Sequence, residues 1–255
     1  FHCWHKHGHG AVDLLDAIAQ SCDVFFYEIA LKTGINNIAK ISREFGLGLP
    51  TGINLPGEKS GLIPDRKWKL DVKKQVWRPG ETIIAGIGQG YVLATPIQLA
   101  LMTARIANGG KKIKPTLLKS PILQASNANS VKVSEENLNI IKRAMEKVSL
   151  DEFGTGRNFR LGIKGVEMAG KTGTVQVRRI STKERESEEG VIKNEDRIWE
   201  WRDHALYVGY APMDKPRYAI SVIVEHGGSG SSKAGPIARD IMEATLTDDP
   251  TRFIP

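Results

Sequence analysis

The chain has 255 residues and a mass of 28.1 kDa, with 40% apolar and 25% charged residues, 26 glycines and 12 prolines. This is length enough for one large domain or two small ones with a sizeable core, and the composition excludes a collagenous, low-complexity or generally disordered chain. Lys and Arg number 36 against 29 Asp and Glu, a net charge of +7 with a pI near 9.3, which permits attraction to nucleic acid, anionic lipid or an acidic polymer without choosing among them.

Phe1 leads into a His-rich turn rather than a charged and then apolar signal segment, and nowhere does the chain supply the roughly 18 uncharged apolar residues of a membrane-crossing helix. Starting without Met and inside what reads as a motif, the chain is expected to be a piece of a longer protein. Val12 to Gln20 and Val24 to Lys32 read as two helices broken at Ser21-Cys22-Asp23, where Ser and Asp favour a cap over a helix interior. Ile35 to Phe45 is a third helix, and Thr51 to Pro64, punctuated by Gly and Pro, is a hairpin or an irregular loop. Thr95-Pro96 opens another helix and Asn108-Gly109-Gly110 closes it. Lys111, Lys112 and Lys114 read as a solvated strand edge.

From Ser134 a helix carries Leu138, Ile141, Met145 and Val148 on one stripe, with Lys142, Arg143, Glu146 and Lys147 opposite. After Val166 the pattern becomes β-like, with strands expected at Thr174 to Val177, Ala205 to Val208 and Tyr218 to Val224. The charged stretch from Arg178 to Asp203 is too polar for a core and reads as a long mobile loop or excursion; Trp199 and Trp201 at its end pack a loop or border a groove. Gly235-Pro236 begins a last helix ending near Thr247. Helices, then a strand cluster, then a returning helix predict an α+β domain with an antiparallel sheet covered by helices.

Two incompatible motifs overlap at Gly170-Lys171-Thr172-Gly173-Thr174. Gly165 through Thr172 fits the phosphate-loop pattern, with Val222 to Glu225 as a possible companion, and on that reading the protein is a nucleoside triphosphatase. That motif needs a helix after the Lys to hold phosphate at its N-terminus, whereas β-branched residues follow here. The other reading is the K-T-G of penicillin-recognising serine acyltransferases, whose set also includes S-x-x-K and S-x-N. Ser21-Cys22-Asp23 has the shape of the middle member, with Asp for Asn. Acyl transfer needs such a set: a hydroxyl to shuttle a proton, a fixed cation, and strand N–H groups for an oxyanion.

Taken together, Gly8 to Gly10, Gln20 to Tyr27, Phe45 to Gly48, Thr51 to Gly61, Gly86 to Tyr91, Ala94 to Ala100, Ala169 to Thr174 and Val208 to Pro212 resemble the penicillin-binding protein 2 family over nearly the whole chain. These are the class B peptidoglycan D,D-transpeptidases of bacterial cell elongation. The resemblance implies a penicillin-binding, serine β-lactamase-like transpeptidase fold in which residues 1–255 form the C-terminal part of the transpeptidase domain. It implies that Ser21, Asp23 and Lys171 are catalytic, that Thr172, Gly173 and Thr174 bind the carboxylate of a stem peptide or β-lactam, and that the Thr174 N–H forms half of the oxyanion hole. Gln89 and its flanking glycines lie in a loop to which the resemblance gives no role.

One element is missing, because no Ser in the chain is followed by Lys three residues later. In the family the nucleophile lies upstream of the Ser-Cys-Asp motif, so these 255 residues are expected not to be acylated by themselves. The resemblance also implies peptidoglycan stem peptides and β-lactam antibiotics as ligands, a polytopic glycosyltransferase as a possible partner, and no nucleic acid. It places the domain on the periplasmic side of the bacterial inner membrane, held by an N-terminal anchor outside the chain. A D,D-carboxypeptidase or β-lactamase of the same fold, and a non-catalytic interaction domain, stay open.

The cysteines, Cys3 and Cys22, are too few for a disulfide scaffold and are compatible with one disulfide, a metal site or free thiols. With His5, His7 and His9 they gather thiol and imidazole groups that zinc accepts, although the spacing matches no standard finger. The chemistry implied by the resemblance requires no cofactor, but the resemblance does imply a structural zinc on Cys3, His9 and Cys22, with a fourth ligand upstream; His5 and His7 are left as turn residues. Phe25, Phe26 and Tyr27, at consecutive helical positions, are expected in the core, with Tyr27 at its edge.

Overall fold

The computed structural model describes residues 1–118, 129–178, 180, 181, 183, 184, 187 and 190–248. Among these, three strands form one antiparallel sheet in the order β1-β2-β3: β1 (Ala169–Val175), β2 (His204–Ala211) and β3 (Tyr218–Val224). Ala169 lies opposite Tyr210 and Val175 opposite His204, while Ala205 lies opposite Val224 and Ala211 opposite Tyr218. Alternation along β2 sends its side chains into two cores. Ala205, Tyr207 and Ala211 meet Phe159, Met168 and the helix α8 (Gly235–Thr247) through Ala238 and Met242. Tyr210 enters the opposite core with Ala107 of α6 (Pro96–Ala107) and Met145 of α7 (Glu135–Leu150). Helices thus cover both faces, and the fold is α+β.

The first strand begins five residues earlier than the β-branched run from Thr174 suggested, and it ends at Val175 rather than Val177. Its start is set by pairing, not propensity. Gly170 is needed because the Tyr207 side chain crosses directly over it, where a Cβ would collide with the Tyr207 hydroxyl and the Val208 carbonyl. With Lys171 and Thr172 inside a strand and no helix following them, the phosphate-loop geometry is absent.

The helices on the other side of the molecule carry the break that the sequence shows. α1 (Leu14–Ala19) is capped by Asp13, whose carboxylate accepts the Asp16 N–H at 2.8 Å, and α2 (Asp23–Thr33) starts immediately after Cys22. Gly34, at φ 75°, ends α2 and starts α3 (Ile35–Glu44). Thr95 and Gln98 form a reciprocal capping box at α6, and Ser134 caps α7. Thr51 to Pro64 is an irregular loop whose Thr51 N–H and hydroxyl both bond Glu58 and whose Leu62 bridges Leu93.

Two helices have no apolar periodicity to announce them. α4 (Arg66–Lys73) turns Lys69 inward, 2% exposed, onto Glu81 of α5 (Pro79–Gly86) and beneath the Trp77 ring. Phe25, Phe26 and Tyr27 are half-buried, with Phe26 packed against the core formed by Ile18, Ala144 and Val148; the buried residue of α2 is Ala30, because α5 lies close against it. Lys111 bridges Ser130, and Lys112 pairs with Glu44. Within Arg178 to Asp203, positions 179, 182, 185, 186, 188 and 189 lie outside the described residues. The remainder is anchored by a buried Arg197–Asp203 ion pair at 3.1 Å, with Asp203 also accepting the Val177 N–H. Trp199, half exposed, stacks on His226 at 4.3 Å.

Candidate active site

The break between α1 and α2 faces β1, the edge strand of the sheet among the described residues, and the two form the walls of a cleft. Ser21 takes the left-handed conformation, φ 55°, which a non-glycine residue holds only when its surroundings require it. Those surroundings are polar. The indole of Trp4 donates to the carbonyls of Gln20 at 3.2 Å and Ser21 at 2.9 Å, and the Trp4 backbone N–H donates to Asp23 Oδ2 at 3.0 Å. Asp23 opens α2, where its carboxylate meets the positive end of the helix dipole. Burial pushes its pKa up, while the Trp4 N–H, Cys3, Lys171 and His9 pull it down.

From the opposite wall Lys171 Nζ donates to Ser21 Oγ and, at 2.9 Å, to the carbonyl of Thr172. Desolvation lowers the Lys171 pKa from 10.5 to about 8, opposed by the charge of Asp23. Such an ammonium gives up its proton far more readily than a surface lysine. Thr172 Oγ1 bonds Thr155 Oγ1 at 2.8 Å, and Thr155 in turn takes the Ser231 hydroxyl on its carbonyl at 2.8 Å. The Thr155 N–H donates to Ala19 at the end of α1, 3.1 Å away, so one threonine ties both walls together. Ser231 belongs to a π-helical turn, Gly230–Ala234, that leads into α8, and Gly230 lies against the Gly173 backbone where a Cβ would not fit. Thr174 offers its carbonyl to Gln89 Nε2 at 3.0 Å.

All six residues singled out for chemistry, Ser21, Asp23, Lys171, Thr172, Gly173 and Thr174, therefore sit around one cleft. Sequence reasoning passes over Thr155 and Trp4 and singles out Gln89 without giving it a role, since each acts through a partner distant in the chain. The only local hint for Thr155 is its setting between Gly154 and Gly156, of which Gly154 lies against the Lys147 and Val148 carbonyls too closely for a side chain.

Beside the loop wall, Cys3, His9 and Cys22 bring two thiols and an imidazole within 4.8 Å of one another, and both cysteines are free thiols. Cys3 Sγ stands 3.4 Å from His9 Nδ1, near the ~3.5 Å expected for S and N ligands sharing one tetrahedral zinc. Burial, followed by the charge of His5, holds the His9 pKa below its ordinary value and favours the neutral, ligating form, while its buried Nε2 has no hydrogen-bond partner. Burial also pushes the Cys22 thiol up, so a thiolate there requires a cation beside it. The donor set thus supplies three of the four ligands that a structural zinc takes.

Comparison with known proteins adds four findings. Residues 1–243 match the family model described as the penicillin binding protein transpeptidase domain. The peptidoglycan D,D-transpeptidase MrdA of Haemophilus influenzae is 38% identical over 257 aligned residues, which cover 96% of this chain and 38% of that protein. The chain accordingly spans about two-fifths of the length of this curated relative. Among solved structures, penicillin-binding protein 2 of Helicobacter pylori, in complex with MreC, superimposes with a TM-score of 0.83 at 35% identity, covering 98% of this chain and 43% of that one. A chain of a peptidoglycan synthase complex, solved for its coordination of polymerization and crosslinking, gives a TM-score of 0.75 at 32% identity, covering 96% and 39%.

Proposed function

Because the chain belongs to the penicillin-binding protein transpeptidase domain family, we propose that it is the C-terminal part of the catalytic domain of a peptidoglycan D,D-transpeptidase. The observation that carries this reading is the hydrogen bond from Lys171 to Ser21 across the cleft, beside Asp23 and the exposed edge of β1. The acylated serine and its lysine base come from a segment of the parent protein outside these 255 residues. That serine attacks the penultimate D-Ala carbonyl of a stem peptide; the C–N bond breaks, D-Ala leaves with a proton, and the acyl group passes to an amine of a neighbouring peptide.

In this chemistry Ser21 relays the proton to the departing amine, and Lys171, hydrogen-bonded to it, sets its readiness to give that proton. Thr172 and Thr174 hold the terminal carboxylate with the Lys171 charge behind them, Gly173 lets the substrate backbone lie against β1, and the Thr174 N–H stabilises the oxyanion. A β-lactam carries a carboxylate beside its reactive carbonyl and acylates the same serine. Zinc, when bound by Cys3, His9, Cys22 and a ligand outside the chain, is structural: it pins the Ser21 loop and takes no part in acyl transfer.

The parent faces the periplasm from the inner membrane and works with a polytopic glycosyltransferase, a partnership supported by one relative solved with MreC and another within a peptidoglycan synthase complex that coordinates polymerization and crosslinking. Among the described residues no helix is long and apolar enough to cross a membrane. Intact mass spectrometry with penicillin tests the reading: the parent gains one acyl adduct and the 255-residue chain gains none. An unmodified parent, or an adduct on the short chain, overturns it. For the metal, elemental analysis of the parent is expected to return one zinc per chain; a metal-free protein with a Cys3–Cys22 disulfide removes that part.

A further inference from the structure

Gln89 makes a second bond across the cleft, to a strand position whose direction can be worked out. Residues two apart on a strand send their backbone groups to the same side. The Thr172 carbonyl receives Lys171 Nζ at 2.9 Å and the Thr174 carbonyl receives Gln89 Nε2 at 3.0 Å, so both point away from β2 and into the cleft. The N–H of Thr174 points the same way. β1 is the edge of the sheet, so this end of it has no neighbouring strand among the described residues to keep it in plane.

The loop that presents Gln89 is built for fixed aim. It follows α5 and passes through Gly88 and Gly90, at φ 75° and 73°, conformations that favour glycine. The Gln89 N–H is tied to the Ile84 carbonyl at 3.1 Å, and Gly90 packs so tightly on Ile84 that a Cβ would come within 2.9 Å of it. α5 itself lies on α2, with Gly86 against Ala30 leaving no room for a side chain. Because α2 opens at Asp23, Gln89 and the Ser21 loop are mounted on the same helical body.

We infer that Gln89 is a positioning residue for acyl transfer: its amide fixes the exposed end of β1 relative to the helical wall, holding the Thr174 N–H where the oxyanion develops. The bond occupies one lone pair of the Thr174 carbonyl and leaves the N–H free to donate. This inference rests on the transpeptidase reading above. Donors of this kind act only when held in advance at the place where charge appears, so the loss of alignment falls on the chemical step rather than on binding.

The test is pre-steady-state labelling of the parent protein with a fluorescent penicillin, resolved into the initial dissociation constant and the acylation rate constant. Gln89→Glu keeps the size but replaces the donor amide with a carboxylate, and Gln89→Leu removes polarity altogether. Both are expected to lower the acylation rate constant about 10- to 100-fold. The initial dissociation constant changes less than about threefold and the melting temperature is unchanged. Labelled wild type with an unchanged rate constant in Gln89→Glu, or with a loss confined to the dissociation constant, overturns the inference alone. A wild-type parent that takes no label overturns the transpeptidase reading and this inference with it.

Discussion

The two walls of the cleft are held in place by different forces. The strand wall is set by the core: β1 pairs with β2 along its whole length, and Ala169 of β1 with Tyr207 and Tyr210 of β2, which enter cores on opposite faces of the sheet, are completely buried. The loop wall is set by directional bonds. Ser21 sits at φ 55° because Trp4 holds the carbonyls of Gln20 and Ser21 and its own N–H holds Asp23. A wall made by packing loses its shape only when something is forced into it, whereas one made by hydrogen bonds loses it when a few donors are removed.

The largest expected effect joins the walls. Lys171→Met in the parent is expected to slow acylation by penicillin about 10³-fold, measured by stopped-flow labelling. The same substitution separates function from stability. With the Lys171 pKa lowered to about 8 in the fold and 10.5 in the unfolded chain, burying the ammonium costs about 3 kcal/mol below pH 8. That penalty lifts as pH rises from about 8 towards 10.5, because the folded state releases its proton first. Denaturant titrations should show the wild type gaining stability across this window and Lys171→Met gaining none.

Gly170→Val attacks the strand wall where it is packed. The new side chain meets the Tyr207 hydroxyl and the Val208 carbonyl, and a loss of about 3 kcal/mol is expected in urea denaturation. On the loop wall, Trp4→Phe keeps a ring but removes the donor to Gln20 and Ser21, at about 1–2 kcal/mol. Hydrogen exchange should then show faster opening at residues 20–23 with β1 unchanged; exchange increasing equally on both walls would erase the distinction between them. Smallest is Thr155→Val, which loses the hydroxyl bonds to Thr172 and to the Ala19 carbonyl but keeps the backbone N–H bond to Ala19, at about 1 kcal/mol by the same denaturation assay.

Much of the frame was legible because local chemistry announces it. The caps at Thr95 and Ser134, the stripe of α7 and the β-branched, mostly apolar run of β3 each place an element within a residue or two. α4 was hidden because its inward residue is a lysine, buried through a partner on another helix. The start of β1 was hidden because Ala169 and Gly170 have little strand propensity and are there to make room for Tyr207. In the cleft the motifs revealed which residues gather but not what holds them. Trp4, Thr155 and Gln89 bond partners 16, 17 and 85 positions away, and no local pattern encodes such pairings.

The contact of Trp4 with the Ser21 loop closes a ring of chain. Bringing its ends together across some 17 positions carries a loop-closure entropy of about 2–3 kcal/mol, charged once for the whole ring. Cys3 meets Cys22 at the same closure point, so whichever of the indole and thiol contacts forms second is spared that entropy. The two contacts are therefore coupled, and a perturbation of either weakens the other's hold on the Ser21 loop.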